Sequence, residues 1–141
     1  MAGAAPYRAL CTDNPELAEF ARARLLSSSS VPLDPDTPTV TSRFHREGDI
    51  RRQPAWVIEA PGHRIVARWR APDAPVIVDG SFGEGTEHFS VLFFVEEAAV
   101  EFDGVAVAGR PYPRDIWRGS IGGDRSSCFF ALAESFIELP A

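Results

Sequence analysis

Hydrophobic and polar positions alternate through much of the chain, most densely between residues 87 and 104, EHFSVLFFVEEAAVEFDG. Phe89, Val91, Phe93 and Val95 fall on one face of a strand, and Leu92 and Phe94 on the other. A strand that is apolar on both faces must be covered on both sides, which predicts a central strand of a sandwich or barrel. A tight turn and a second strand follow. Asp103-Gly104 then predicts a type I′ hairpin turn, because that turn needs positive φ at both central residues. It sets Phe102 opposite Val105, and Val100 opposite Val107.

Elsewhere the pattern is shorter. Asn14-Pro15-Glu16 predicts a helix start, with Asn as cap, Pro in the first turn and Glu at the positive end of the dipole. Leu17, Phe20, Ala21 and Leu25 share one face, so the helix is expected over 14–26, packed against a sheet. Residues 27–38, SSSSVPLDPDTP, read as a linker, since serine and proline runs sustain neither helix nor central strand. A β domain is expected over 39–139. Thr39 to His45 alternates briefly. Pro54 to Glu59 and His63 to Arg70 flank the turn Ala60-Pro61-Gly62. In the second of these strands Ile65, Ala67 and Trp69 share a face, and Arg64, Val66, Arg68 and Arg70 share the other, as in a half-exposed strand. Val76 to Asp79 is a short strand, 79–87 a glycine-rich loop, and 109–125 a long loop with a short strand at Ile116 to Arg118. Residues 126–139 fit a helix or a strand, and the surrounding β character favours strand.

The expected fold is therefore mainly β: a small barrel or jelly-roll-like sandwich of seven to nine strands with one N-terminal helix, in a single domain over residues 1–141. Composition agrees. At 141 residues and 45% hydrophobic content the chain can bury a core without staples. Ten Phe and three Trp supply bulk for that core or for the wall of an apolar pocket. Cys11 and Cys128 are far apart and form no CxxC, so reduced thiols are expected, and spacing does not say whether they meet. The N-terminus has no charged-then-apolar leader, and no run approaches the ~18 apolar residues of a spanning helix. These features predict a cytoplasmic chain with no membrane partner. Every basic residue is Arg, a bias in keeping with a GC-rich bacterial genome.

Charge sharpens the picture. The net charge of −6 argues against nucleic acid as a partner. Residues 41–70 hold seven Arg against Glu47, Asp49 and Glu59, whereas 71–104 hold eight acids and no base. Basic and acidic strands that pair across a sheet would produce this pattern. So would a polarised surface that steers a partner.

Gly83, His88, the pair Glu96-Glu97 and Gly104 follow one another in an order that resembles the first motif of the cupin jelly-roll family. The resemblance covers about 25 residues and implies a small β-barrel with an interior site. That family's motif has a second His where this chain has Ser90, and the spacing from His88 to Glu96 is longer here. Only the architecture is carried over. His45, His63 and His88 lack HxH or HxxxH spacing, so no metal is expected, and no other cofactor.

Glu84, Glu87, His88, Glu96, Glu97, Glu101 and Asp103 crowd one stretch of sequence. A carboxylate or imidazole at the mouth of an apolar cavity can serve as acid or base near neutral pH. His88 and Glu101 are accordingly the catalytic candidates, and Trp69, Phe94, Tyr112 and Trp117 the ligand-binding ones. The loop at 79–87 carries acids and leads into a strand, which is wrong for phosphate; a lid over a barrel mouth is one reading of it and an ordinary hairpin loop the other. Two functions stand side by side. One is a metal-independent barrel that binds an apolar small molecule, as an isomerase or cyclase or without turnover. The other is a non-enzymatic acidic module that regulates or inhibits a basic protein partner. A homodimer is compatible with either. An interior cavity favours the first, and a filled interior the second.

Overall fold

A computed structural model describes residues 5–26, 33–81, 85–109, 119 and 129–140. In chain order the elements are β1 (Leu10–Thr12), α1 (Pro15–Phe20), a π-helical segment (Ala21–Leu26), β2 (Thr39–Thr41), β3 (Arg43–Glu47), β4 (Ala55–Ala60), β5 (His63–Arg70), β6 (Val76–Ser81), β7 (Thr86–Phe94), β8 (Glu97–Phe102), β9 (Val105–Ala106) and β10 (Phe129–Glu138). They form a parallel pair β1-β2, a three-stranded sheet β10-β7-β6 and a five-stranded sheet β3-β4-β5-β8-β9. The fold is mainly β and sandwich-like with one short N-terminal helix, and among the described residues no sheet closes into a barrel.

The local signals form as their chemistry dictates. Asn14 Oδ1 accepts from the Leu17 amide at 3.1 Å and caps α1, with Pro15 in the first turn. The α-helix ends at Phe20 and widens into the π-helical turns. The buried residue of α1 is Ala18, whereas Leu17, expected on the packed face, is exposed. Phe20 packs on Phe136 of β10 with ring centroids 5.0 Å apart. Arg22 donates to the Thr37 carbonyl and the Thr39 hydroxyl, and Arg24 to the Thr86 hydroxyl of β7. The helix is thus fastened to both of its flanks.

The Asp103-Gly104 turn has φ of 49° and 79°, the signature of type I′, and pairs Phe102 with Val105. The Asp103 carboxylate accepts from the Arg64 amide (2.7 Å) and from His63 Nδ1 (2.8 Å). These bonds, the Arg64 amide first, hold its carboxyl below the usual aspartate range. Asp103 therefore ties the hairpin to the start of β5.

Two expectations are corrected, and a third is borne out. β7 is central, as its pattern predicts, but it does not form a hairpin with β8. β7 lies in the three-stranded sheet, while β8 crosses at Val95-Glu96 to pair with β5. The crossing is held by the Glu96 amide on the Arg70 carbonyl, and sequence alone does not say which edge a strand will take. The loop expected over 79–87 is shorter, because Gly80 pairs with His88 and Ser81 with Glu87 inside the β6-β7 ladder. Finally, β10 is a strand, and a bulge between Ala131 and Ala133 explains its ambiguous period. Phe130 and Phe136 would share a face in a regular strand. The extra residue sets them on opposite faces, Phe130 opposite Phe93 and Phe136 opposite His88.

The five-stranded sheet has two unlike faces. One carries Arg43, Glu47, Glu59, Arg64, Arg68, Arg70, Glu97 and Glu101, with Ala55, Val57 and Val66 at its centre, each 0–1% exposed. The other carries Phe44, Trp56, Ile58, Ile65, Ala67 and Trp69, all half-buried. The deepest position of β5 is thus Val66 on the arginine face, while Ile65, Ala67 and Trp69 on the apolar face keep part of their surface open.

Candidate functional site: an aromatic cleft

The apolar face of the five-stranded sheet forms one wall of an open cleft of ≈ 500 Å³. Phe44, Trp56, Ile58, Ala67 and Trp69 supply that wall, Cys11, Thr12, Asp13 and Leu17 a second, and Glu134 of β10 reaches in from the three-stranded sheet. Alternation puts Phe44, Ile58, Trp56, Ala67 and Trp69 on one side of adjacent strands, because directly paired residues of antiparallel strands share a face. The second wall is set by a tight corner between β1 and α1. There the Thr12 hydroxyl accepts from the Asn14 amide (2.9 Å) and donates to the Asn14 carbonyl (2.7 Å). That corner explains why Leu17 is exposed: it faces the cleft rather than the core.

β10 braces the tryptophans. Trp56 Nε1 donates to the Ala131 carbonyl at 3.1 Å, which satisfies the indole N–H and fixes the ring. Phe130 is fully buried and sits 5.1 Å from Trp69 and 6.3 Å from Trp56, centroid to centroid. Ala131 stands at the bulge of β10, an edge strand whose outer carbonyls are not used by the β7 ladder.

Glu134 is the end of a short polar chain. It lies opposite Ser90 in the β7-β10 ladder, and the Ser90 hydroxyl is 3.4 Å from Glu134 Oε1 and 2.6 Å from His88 Nε2. A carboxylate only accepts, so when the single serine proton points to Glu134 the serine oxygen accepts from the Nε2–H tautomer of His88; in the other tautomer the serine donates to Nε2. His88 in turn stacks on Phe136 at 5.0 Å. The sequence His88–Ser90–Glu134 differs from a hydrolase triad, in which the imidazole stands between serine and acid. Here the serine is central and 1% exposed. The arrangement orients the Glu134 carboxylate and links it to an imidazole; it does not present a nucleophile.

The sequence candidates are dispersed. Trp69 lines the cleft. Phe94 is 1% exposed and belongs to the core. His88 lies behind the cleft through Ser90 and Glu134. Glu101 lies in the other sheet from His88, on the charged face, with Arg68 Nε 3.8 Å away. The acids that crowd the sequence do not gather in space: Glu97 pairs with Arg70, and Asp103 with His63. Tyr112, Trp117 and Glu84, with the strand expected at 116–118, lie outside the described residues, as does Cys128. Cys11 is a free thiol at the cleft. Trp56, Phe44, Ile58 and Glu134 were not foreseen as site residues. Only the apolar parity of Trp56 and Ile58 with Trp69 across the β4-β5 turn was readable in advance.

Among the described residues no three His, Cys, Asp or Glu side chains gather as a metal-binding group, and no helix is long and apolar enough to cross a membrane. Comparison with family models, with curated proteins and with solved structures returned no match.

Proposed function

We propose that the protein binds a small, largely apolar molecule in the aromatic cleft, in a manner that calls for no metal. The observation that carries this reading is the set of large apolar side chains left half-buried around one hollow: Phe44, Trp56, Ile58 and Trp69. A hollow of ≈ 500 Å³ is in the size range of small-molecule sites, and an apolar wall with a few convergent polar groups is their usual composition. An isomerase or cyclase working here would draw on Glu134, the carboxylate in the cleft, with Ser90 and His88 behind it. Glu101 has no part in that reading, because it stands with Arg68 on the opposite face.

The acidic-module reading has less support. Four of the glutamates it would use are matched within the five-stranded sheet: Arg43–Glu59 at 2.8 Å, Arg64–Glu47 at 3.4 Å, Arg68–Glu101 at 3.8 Å and Arg70–Glu97 at 2.6 Å. Acids already paired with neighbouring arginines offer little field to a basic partner.

The test is a panel of small aromatics followed by tryptophan fluorescence and by melting temperature. Ligands that favour the folded state raise the melting temperature by mass action. Ala67→Phe places a ring in the cleft and should abolish the response of the wild type while the unliganded protein still melts cooperatively. A wild type that responds to no member of the panel, or an Ala67→Phe variant that responds as well as the wild type, would refute the reading.

A further inference from the structure

We infer that the ligand of this cleft is an apolar cation, a protonated or alkylated amine on an aromatic or aliphatic body. The inference rests on the reading of the cleft as a binding site and adds the charge of what it binds.

The cleft joins two features that select for positive charge. Its wall carries two indoles and a phenyl ring, Trp56, Trp69 and Phe44, whose π-faces attract cations. Its charged lining groups are both acids, Asp13 and Glu134, and no Arg or His is among the described lining residues. Arg46 is paired in register with Trp56, but it is exposed and stands outside the lining. The arginines of the five-stranded sheet's other strands occupy the opposite face, with glutamates beside them. Alternation has thus put the sheet's arginines, all but Arg46, on the face away from the aromatic wall.

Glu134 also has a polar group at its back. The Ser90 hydroxyl, 1% exposed, lies 3.4 Å from Glu134 Oε1 and 2.6 Å from His88 Nε2. An oriented carboxylate beside aromatic rings suits an ammonium group, which donates to the carboxylate and lays its alkyl substituents on the indoles. An anionic ligand would meet two carboxylates, and a neutral one would bring neither of them a counter-charge.

Three probes with one phenethyl body test this in the full chain near pH 7: 2-phenylethylamine as cation, 2-phenylethanol as neutral molecule and 3-phenylpropanoate as anion, titrated by tryptophan fluorescence. The amine should bind about fivefold or more tighter than the alcohol, and the acid weakest. Glu134→Gln should remove most of the amine's advantage and leave the alcohol unchanged. Asp13→Asn should lower the preference in part, and keeps the test open should Glu134→Gln fold poorly. Added salt should weaken the amine alone. An alcohol that binds as tightly as the amine, or a preference that survives both substitutions, overturns the inference and leaves the cleft as a neutral site. If none of the three probes changes the signal, the cleft reading falls, and this inference with it.

Discussion

The two faces of the five-stranded sheet are built from the same strands, a residue apart, yet they behave differently. On one face arginines and glutamates stand side by side around Ala55, Val57 and Val66, which are closed to solvent. On the other, larger and more apolar side chains stay half open: Trp56, Trp69, Phe44 and Ile58. Charge is the more conspicuous feature of the sequence, but it is largely satisfied where it stands. The aromatic face has apolar surface left over. A surface whose groups are matched has little left to offer, and a surface with apolar area left over is where binding is to be sought.

The comparison can be broken most severely at the centre of the charged face. Val57→Asp puts a carboxylate at a position 0% exposed. The nearby arginines serve the rim and cannot hydrate a charge at the centre, so a loss of about 4 kcal/mol or more is expected, enough to unfold the chain. A folded Val57→Asp protein by circular dichroism would mean that this face is looser than its burial implies.

A smaller effect is expected where both faces end, at the β8-β9 turn. Gly104 has φ of +79°, and its absent Cβ would meet nothing within 4 Å, so the strain of a substitution is purely conformational. Gly104→Val should cost about 1 kcal/mol or more, because a β-branched residue tolerates positive φ poorly. Denaturant midpoints report this, and an unchanged midpoint would remove the turn from the account.

Smallest is the loss of one ion pair. Arg70 and Glu97 are 2.6 Å apart, but their side chains are 59% and 61% exposed. Glu97→Gln should shift stability by no more than about 0.5 kcal/mol, with the difference shrinking in salt. A loss of several times that amount would show that the charged face acts as a coupled network rather than as separate pairs.

These elements differ in how far the sequence announces them. The Asp103-Gly104 turn and the Asn14 cap depend on neighbouring residues, and both were legible. The central place of β7 was legible because its apolar residues sit on both faces. The separation of β7 from β8 was not, since it turns on which distant edge each strand meets. The site was mostly illegible for the same reason. Trp69 could be singled out as an aromatic on a half-exposed strand. Glu134 could not, because the bulge at Ala131/Ala133 scrambles the period of β10, and the carboxylate reaches the cleft only through that strand's pairing. In sequence His88 stands near Glu101; in the fold Ser90 connects it to Glu134 instead.

The most direct measurement is a residue-resolved nuclear magnetic resonance titration of the wild-type chain with 2-phenylethylamine. The account predicts that shifts concentrate on the Trp56 and Trp69 indole N–H signals and on the amides of Cys11, Leu17, Ile58, Ala67 and Glu134, while the amides of Arg43, Arg64, Glu97 and Glu101 stay still. Shifts centred on the arginine and glutamate residues of the opposite face, with the two indoles unmoved, would contradict it.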